Sequence, residues 1–184
     1  MNRDEALEYL RMKVKKENLI KHMLAAEAIM RALARQLNQD EERWGLAGLL
    51  HDIDLDACGD DLTRHSLISA EMVREKGFDD EIVDAIAAHN EAHGLPRNTL
   101  LAKALFACDP LTGLITATAL VMPDRRLATI DTSKVHKRFY EKRFAANASR
   151  ENMKSCETEL GLPLEKFIEI GVVAMQGIAG DLGL

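Results

Sequence analysis

Aromatic residues, cysteines and long apolar runs are scarce in this sequence, and each shortage excludes a class of protein. One Trp, two Tyr and five Phe offer few rings on which bases could stack, so nucleic acid is not an expected partner. The three cysteines form no Cys-x-x-Cys pair, which indicates reduced thiols in a cytoplasmic protein. The uncharged apolar runs are too short to span a membrane, and the charged start differs from a signal peptide. We therefore expect a cytoplasmic protein with no membrane partner.

The chain is long and apolar enough to bury one good core. It has 184 residues, of which 47% are hydrophobic, and this predicts a single domain over residues 1–184. The net charge is −6, yet residues 124–154 hold nine basic residues against four acidic ones. That basic stretch is either a solvated, salt-bridged helix face or a surface that meets an anionic ligand.

Apolar residues recur at helical spacing along the whole chain, and no strand pattern competes with them. In residues 19–37, for example, Met23, Met30 and Leu33 share one face. Pro110 is expected to bend or break the long apolar helix that contains it. The fold class predicted is all-α, a bundle of about eight or nine helices. The predicted helices cover residues 1–16, 19–37, 41–53, 62–76, a segment from 79, then 99–121, 133–146, 149–160 and 164–182.

Four histidines fall one to a helix, each at or beside an apolar face. A single core histidine is usually just hydrogen-bonded, but several unpaired imidazoles would be expensive to bury together. Two aspartates also lie inside apolar stretches, where an uncompensated charge is not tolerated. A metal cluster would satisfy all of them at once. The six residues are His22, His51, Asp52, His65, His89 and Asp109.

The order and the local contexts of these residues resemble the HD-domain (HDIG-type) metal-dependent phosphohydrolase superfamily. Leu-Leu-His51-Asp52-Ile is similar to the central motif of that family, and Cys108-Asp109 matches its closing aspartate. Arg64-His65-Ser-Leu-Ile-Ser-Ala70 resembles its His-x-x-x-Gly-Ala helix, with Ser69 in place of glycine, and Ala88-His89-Asn90 resembles two-metal relatives. The resemblance covers about residues 18–122, which leaves 123–184 as a C-terminal helical extension.

The resemblance implies a ligand set and a reaction. His22, His51, Asp52 and Asp109 would hold one divalent metal, and His65 and His89 would complete a second, with Asp52 as the bridge. One or two ions of Fe, Mn, Ni, Co or Zn are implied, with Mg also possible. The implied activity is attack by a metal-bound hydroxide on a phosphoester or phosphoanhydride of a small phosphorylated substrate, which we expect to be a nucleotide.

The residues after the central motif depart from the family. Many relatives continue with Gly-Lys, whereas this chain has Ile53-Asp54-Leu55-Asp56. Asp54 is a candidate general acid or base beside Asp52, and capping of the loop is the alternative. Because the lysine is missing, phosphate binding is expected from other cations. The candidates are Arg64, Lys103, Arg125, Arg126, Lys137 and Arg138.

Two other functions stay open from the sequence. The chain could be a non-catalytic regulatory module that binds a metal or nucleotide, or a di-iron oxygenase of the same architecture. Within the enzyme class, a nucleotide phosphomonoesterase and an enzyme that cleaves dinucleoside polyphosphates both fit. A monomer or a homodimer is expected, the apolar last helix being the one hint of a dimer.

Overall fold

The protein is described by a computed structural model that covers residues 1–59 and 61–184, and over these ranges it contains helices and no strands. The all-α prediction is therefore confirmed. Three short 3₁₀ turns cover Leu62–Arg64, Glu91–His93 and Leu127–Thr129. The α-helices are α1 Arg3–Lys13, α2 Glu17–Gln36, α3 Glu41–Leu50, α4 Leu55–Cys58, α5 Leu67–Glu75, α6 Asp80–Ala88, α7 Leu100–Leu120, α8 Thr132–Phe139, α9 Arg150–Glu159, α10 Leu164–Gly177 and α11 Ala179–Leu182.

Helices α2 and α7 form the centre of the molecule. Helix α2 packs along α3 and against α7 and α10, while α7 also contacts α6, α8 and α9. The α2–α3 contact is close because Gly48 has no side chain: a Cβ there would lie 2.8 Å from the Ala26 carbonyl carbon. The core is continuous from Met23 of α2 to Phe167 of α10, both fully buried. This continuity supports our proposal that residues 1–184 form one domain.

Helix α7 is long and apolar enough to cross a membrane by length and composition alone. In this structure it is instead the central core helix, and 61% of its most apolar 18-residue window is buried by the other helices. Burial in the core therefore accounts for its composition. Pro110 lies inside the helix without ending it, so of the two expected effects of this proline, a bend or a break, the break does not occur. Leu105 and Leu111, both fully buried, anchor the helix on either side of the proline.

Several predicted helix boundaries are wrong, each for a local reason. The helix predicted over 62–76 is split because Ser66 adopts a left-handed φ of 74°, and α5 begins only after it. The helix predicted over 41–53 ends at Leu50, and the one over 133–146 ends at Phe139. The last predicted helix is interrupted at Ile178, between α10 and α11.

Candidate metal centre

The six residues singled out from the sequence come together at one place. His22 projects from α2 and Asp109 from α7, while His51 and Asp52 directly follow α3. The other two histidines stand at helix boundaries, His65 just before α5 and His89 just after α6. His51 is fully buried and Asp52 is 6% exposed. The site is therefore built from five separate parts of the chain.

Asp52 lies at the centre of the cluster. Its Oδ1 is 3.4 Å from the Nε2 atoms of both His51 and His65, and 3.1 Å from Nε2 of His89. Its Oδ2 is 3.3 Å from Nε2 of His22. One carboxylate thus faces four imidazoles, with His22 on one oxygen and the other three on the second. This is the arrangement that a bridging ligand requires.

Asp109 completes the side of the cluster that contains His22. Its Oδ1 lies 3.2 Å from Nε2 of His22 and 3.8 Å from Nε2 of His51. The Nε2 atoms of these two histidines are 3.2 Å apart. Two overlapping sets of donor atoms are compact enough to hold an ion, His22–His51–Asp109 and His51–Asp52–His89. His65 stands beside the second set, next to Oδ1 of Asp52.

The Nδ1 atoms of the four histidines all have acceptors on the side away from the cluster. His51 donates to the Gly48 carbonyl at 2.9 Å, and His89 donates to the Ile86 carbonyl at 2.6 Å. His65 donates to Oδ1 of Asp54 at 2.8 Å. Carbonyl and carboxylate oxygens only accept, so Nδ1 of each of these three imidazoles carries a proton.

Nδ1 of the fourth histidine, His22, is also a hydrogen-bond donor, and its acceptor is the Thr112 hydroxyl. The Thr112 hydroxyl donates to the Asp109 carbonyl at 2.7 Å, so it accepts from Nδ1 of His22, 2.9 Å away. All four Nε2 atoms therefore face the carboxylates of Asp52 and Asp109. Metal-binding histidines in proteins are held in this way by their second nitrogen.

The residues present fit divalent cations. Neutral imidazoles would repel the carboxylate oxygens that their Nε2 atoms face unless positive charge lay between them, and Oδ1 of Asp52 is buried without a hydrogen-bond partner among the described residues. Donor atoms about 2.1 Å from one ion lie about 3 Å apart in an octahedral arrangement and about 3.4 Å apart in a tetrahedral one. The 3.1–3.4 Å separations around Asp52 are close to these spacings.

The pKa shifts of the cluster residues also favour a bound cation. Burial lowers the pKa of His22, but the Asp109 and Asp52 carboxylates outweigh it and raise this pKa to about 10. The same competition raises the pKa of His89 through Asp52. Burial opposes ionisation of Asp109, yet His22 and His51 hold its pKa below the ordinary value. The carboxylates thus attract positive charge, and a divalent cation would compete with the proton for this place.

The cluster opens into a cleft of about 380 Å³. Its lining includes His22, His65, His89 and Asp109 of the cluster, and also Asn147, Ser149 and Asn152. An adjoining cleft of about 520 Å³ shares His22, Thr112 and Gly113 with the first and contains Lys21. A small molecule in the first cleft would therefore contact the cluster directly.

Asp54 is placed differently from the general acid or base expected of it. It is fully buried and is not among the residues that line the cleft. Its Oδ1 accepts from His65, and its Oδ2 accepts from the backbone amides of Ser66 at 2.7 Å and Ser69 at 3.2 Å. Because both oxygens are engaged, Asp54 orients His65 and does not face a substrate.

The six cations expected to bind phosphate are not brought to the site. Lys103 pairs with Glu159 at 2.9 Å, and Arg138 pairs with Glu141 at 2.5 Å and stacks on Phe144. Arg64 is mostly exposed, 3.9 Å from Glu71. None of the six lines the cleft as it is seen in the described part of the chain. The residues concerned are Arg64, Lys103, Arg125, Arg126, Lys137 and Arg138.

Sequence reasoning missed Thr112 and Lys21, which the structure places at the two clefts, and left the role of His93 open. Thr112 follows Asp109 by one helical turn, and this i, i+3 spacing is a signal that could have identified it. Lys21 precedes His22 in the chain and is the one cation among the described residues that line the two clefts. His93 donates from Nε2 to the His65 carbonyl at 2.7 Å, so it supports the backbone of a candidate ligand.

Comparison with protein-family models matches the HD domain to residues 19–114, which is more than half of the chain. The chain belongs to the HD domain family. The resemblance stated from its motifs is thereby confirmed at the level of the family. The matched segment begins in α2 and ends in α7, so it contains all six residues of the cluster.

Relatives of this HD domain protein include enzymes named Ribonuclease Y. The one from Oleidesulfovibrio alaskensis is 34% identical over 97 residues, which are 53% of this chain and 18% of that protein. The one from Lactobacillus helveticus is 32% identical over 97 residues, 52% of this chain and 17% of that protein. The chain therefore spans less than a fifth of these relatives. No solved structure matched the chain.

Proposed function

We propose that this HD domain protein hydrolyses a phosphoester of a small phosphorylated substrate, a nucleotide, with the help of two divalent metal ions. The observation that carries the proposal is the shared orientation of the four histidines, whose Nδ1 atoms are all occupied and whose Nε2 atoms converge on Asp52 and Asp109. Without a metal, it would cost free energy to bury these Nε2 atoms around Oδ1 of Asp52, which has no hydrogen-bond partner among the described residues.

The chain's own residues have distinct roles in this proposal. His22, His51, Asp52 and Asp109 would hold one ion, and His65 and His89 would hold the second, with Asp52 shared between them. Divalent ions bound there supply a water of lowered pKa and positive charge for the phosphoryl oxygens. The choice among Fe, Mn, Ni, Co, Zn and Mg is part of the proposal, and mixed imidazole and carboxylate ligands favour the transition metals.

The residues around the cluster orient its ligands and admit the substrate. Asp54 and Thr112 fix the rings of His65 and His22, so that Nε2 of each histidine faces the carboxylates. The exposed edge of Asp109, whose side chain is 34% accessible, lies at the cleft where a phosphate would enter. Lys21 lies in the adjoining cleft and supplies a cation for a phosphate that extends past His22.

The charge of the cleft favours a substrate with few phosphates. Its described lining contains Glu91 and no Lys or Arg, so the metal ions would have to balance the substrate's negative charge. A monophosphate ester or a single diester suits this cleft better than a polyphosphate. Of the two enzyme types compatible with the sequence, the phosphomonoesterase acting on nucleotides is the one that we propose.

RNA is a second candidate substrate, and the similarity to enzymes named Ribonuclease Y favours it. Cleavage of RNA also breaks a phosphoester, so the same cluster would serve. The neutral and acidic lining of the cleft and the scarcity of aromatic side chains favour the small substrate.

A comparison of the two substrates tests the proposed function. Purified protein loaded in turn with Mn²⁺, Fe²⁺, Co²⁺, Ni²⁺ or Zn²⁺ is supplied with nucleoside monophosphates and with a single-stranded RNA oligonucleotide. We expect phosphate release from the monophosphates that changes little between 50 and 200 mM salt, roughly the range over which nucleic-acid binding weakens strongly.

Each other outcome of that comparison contradicts the proposal in a recognisable way. Cleavage of the oligonucleotide alone would favour the ribonuclease. Metal binding without hydrolysis of either substrate would favour a regulatory module, and metal-dependent O₂ uptake would favour an oxygenase.

A further inference from the structure

Part of the cleft at the metal cluster is lined by residues outside the segment that matches the HD domain. This amide wall, as we call it, consists of Asn147, Ser149 and Asn152. It lines the same cleft as His22 and His65 but comes from the loop before α9 and from α9 itself. The family's metal-binding segment therefore does not determine the chemistry of this wall.

Arg150, a partly buried side chain at the start of α9, fixes the amide wall in place. The Arg150 guanidinium donates to five backbone carbonyls at 2.5 to 3.3 Å, which ties the loop between α8 and α9 to the start of α9. Since its donors are used in this way, Arg150 is a positioning residue for the wall and does not bind phosphate. The carbonyls belong to Arg138, Phe139, Phe144, Ala145 and Ala148.

The wall offers hydrogen-bonding groups without charge. Oδ1 of Asn152 accepts from the Ser149 hydroxyl at 2.7 Å, which turns the asparagine and leaves its amide NH₂ as a donor for a ligand. The Asn147 side chain is exposed, and among the described residues neither its donor nor its acceptor has a partner. Neutral amides pair well with the uncharged donors and acceptors of a base or a sugar.

We propose that Asn147 and Asn152 bind the nucleoside part of the substrate while its phosphate lies at the metal cluster. The proposal rests on the proposed function, because it takes the phosphate to bind at the metal cluster, in the same cleft as the amide wall. It adds that this protein distinguishes nucleotides from other phosphate esters by hydrogen bonds from its C-terminal extension. The metal cluster, in contrast, would bind inorganic phosphate and nucleotides alike.

Binding of two probes to the metal-loaded protein tests this assignment. Inorganic phosphate and a phosphonate analogue of adenosine 5′-monophosphate, which a phosphatase cannot hydrolyse, are titrated into the wild type and into the double variant Asn147→Ala/Asn152→Ala by calorimetry. The loss of one hydrogen bond weakens binding about 2- to 10-fold, so we expect about tenfold weaker binding of the nucleotide by the double variant. Binding of inorganic phosphate should change less than about twofold, since this ion does not reach the wall.

Matched variants separate the wall from general damage. Gln36→Ala removes an exposed amide at the far end of α2 and should leave both affinities unchanged. Arg150→Gln should weaken nucleotide binding with metal content retained, and Arg150→Lys should restore part of it. Equal nucleotide affinity in the wild type and the double variant would overturn the proposal, and so would an equal loss for both probes.

The outcome for the wall is distinguishable from the outcome for the proposed function. Hydrolysis of p-nitrophenyl phosphate reports on the metal cluster alone, because its leaving group has no nucleoside. If the wild type binds the nucleotide through the wall but hydrolyses neither ester, the proposed function fails and the assignment of the wall stands. If the wild type hydrolyses both the nucleotide and p-nitrophenyl phosphate, and the double variant hydrolyses both as well as the wild type does, the assignment of the wall fails and the proposed function stands.

Discussion

At the scale of single residues, the site depends on which nitrogen of each histidine carries its proton. Four acceptors of different kinds, two carbonyls, one hydroxyl and one carboxylate, all hold the proton on Nδ1. The carboxylate is Asp54, and the expectation that it acts as a general acid or base does not fit its buried position. Its effect on the reaction would pass through His65.

The substitution Asp54→Asn tests this role. The amide can accept from His65 with one atom but cannot serve the Ser66 and Ser69 amides with the other, so the His65 ring should lose its fixed orientation. We expect affinity for the second metal ion to fall about 10- to 100-fold, measured by metal titration. Asp84→Asn, an exposed aspartate on α6, is the control. Unchanged metal affinity with lost activity would instead favour a proton-transfer role.

The sequence predicted the six residues of the cluster because their types and order carry the information. It did not predict which partners the six basic residues expected to bind phosphate would have. Lys103, for example, pairs with Glu159, which lies far away in the chain. The role of Arg150 could not be predicted either, because the sequence of a basic stretch does not show which arginine donates all its hydrogen bonds to backbone carbonyls. Charge identifies a surface residue, but its contacts are decided by tertiary structure.

At the scale of elements, the close approach of α2 and α3 places His51 beside His22. Gly48 makes this approach possible, and its carbonyl also accepts from Nδ1 of His51. A methyl group at Gly48 would meet the backbone of Ala26 and Glu27 at 2.8–2.9 Å. Backbone atoms cannot move aside as a flexible side chain can, so the helices would have to separate.

We predict that Gly48→Ala destabilises the protein by about 1–3 kcal/mol, as overpacking of a core does, and that it lowers metal occupancy as well. The free energy of unfolding in urea measures the first effect and elemental analysis the second. Gly177→Ala is the matched control, because a Cβ at the end of α10 would meet nothing within 4 Å. Equal stability of the two variants would show that the α2–α3 contact tolerates separation.

Helix content was easier to predict than helix boundaries. The spacing of apolar residues found the central helices, since burial of one face requires that spacing. It failed at Ser66, whose left-handed φ is stabilised by a hydrogen bond from its amide to Asp54, twelve residues earlier. It failed again after Phe139, because Arg150 satisfies the loop carbonyls that a longer helix would otherwise pair.

At the scale of the whole molecule, the cluster connects helices that lie far apart in the sequence. Residues from α2 and α7 and from the ends of α3 and α6 share one set of donor atoms, so ions bound there would tie these elements together. A ligand that binds the folded state but not the unfolded chain stabilises it. Metal binding and global stability should therefore change together.

We predict that metal loading raises the melting temperature of the protein. At a free metal concentration of about 100 times Kd the gain is about 2.7 kcal/mol. In a protein of this size that gain corresponds to roughly 5–10 °C. Scanning fluorimetry with Mn²⁺ and with a chelator measures the difference, and Asp52→Ala should show almost none. A wild type that melts at the same temperature in both conditions would contradict the link between cluster and fold.

The central claim is that Asp52 and the four histidines form a metal centre, and elemental analysis of the purified protein tests it most directly. We expect close to two transition-metal ions per chain in the wild type and their loss in Asp52→Ala, because both candidate sites share this carboxylate. If the wild type contained no metal, and took up none from Mn²⁺, Fe²⁺, Co²⁺, Ni²⁺ or Zn²⁺, the six converging side chains would have no cation to satisfy them. That result would contradict the metal centre and the hydrolase with it.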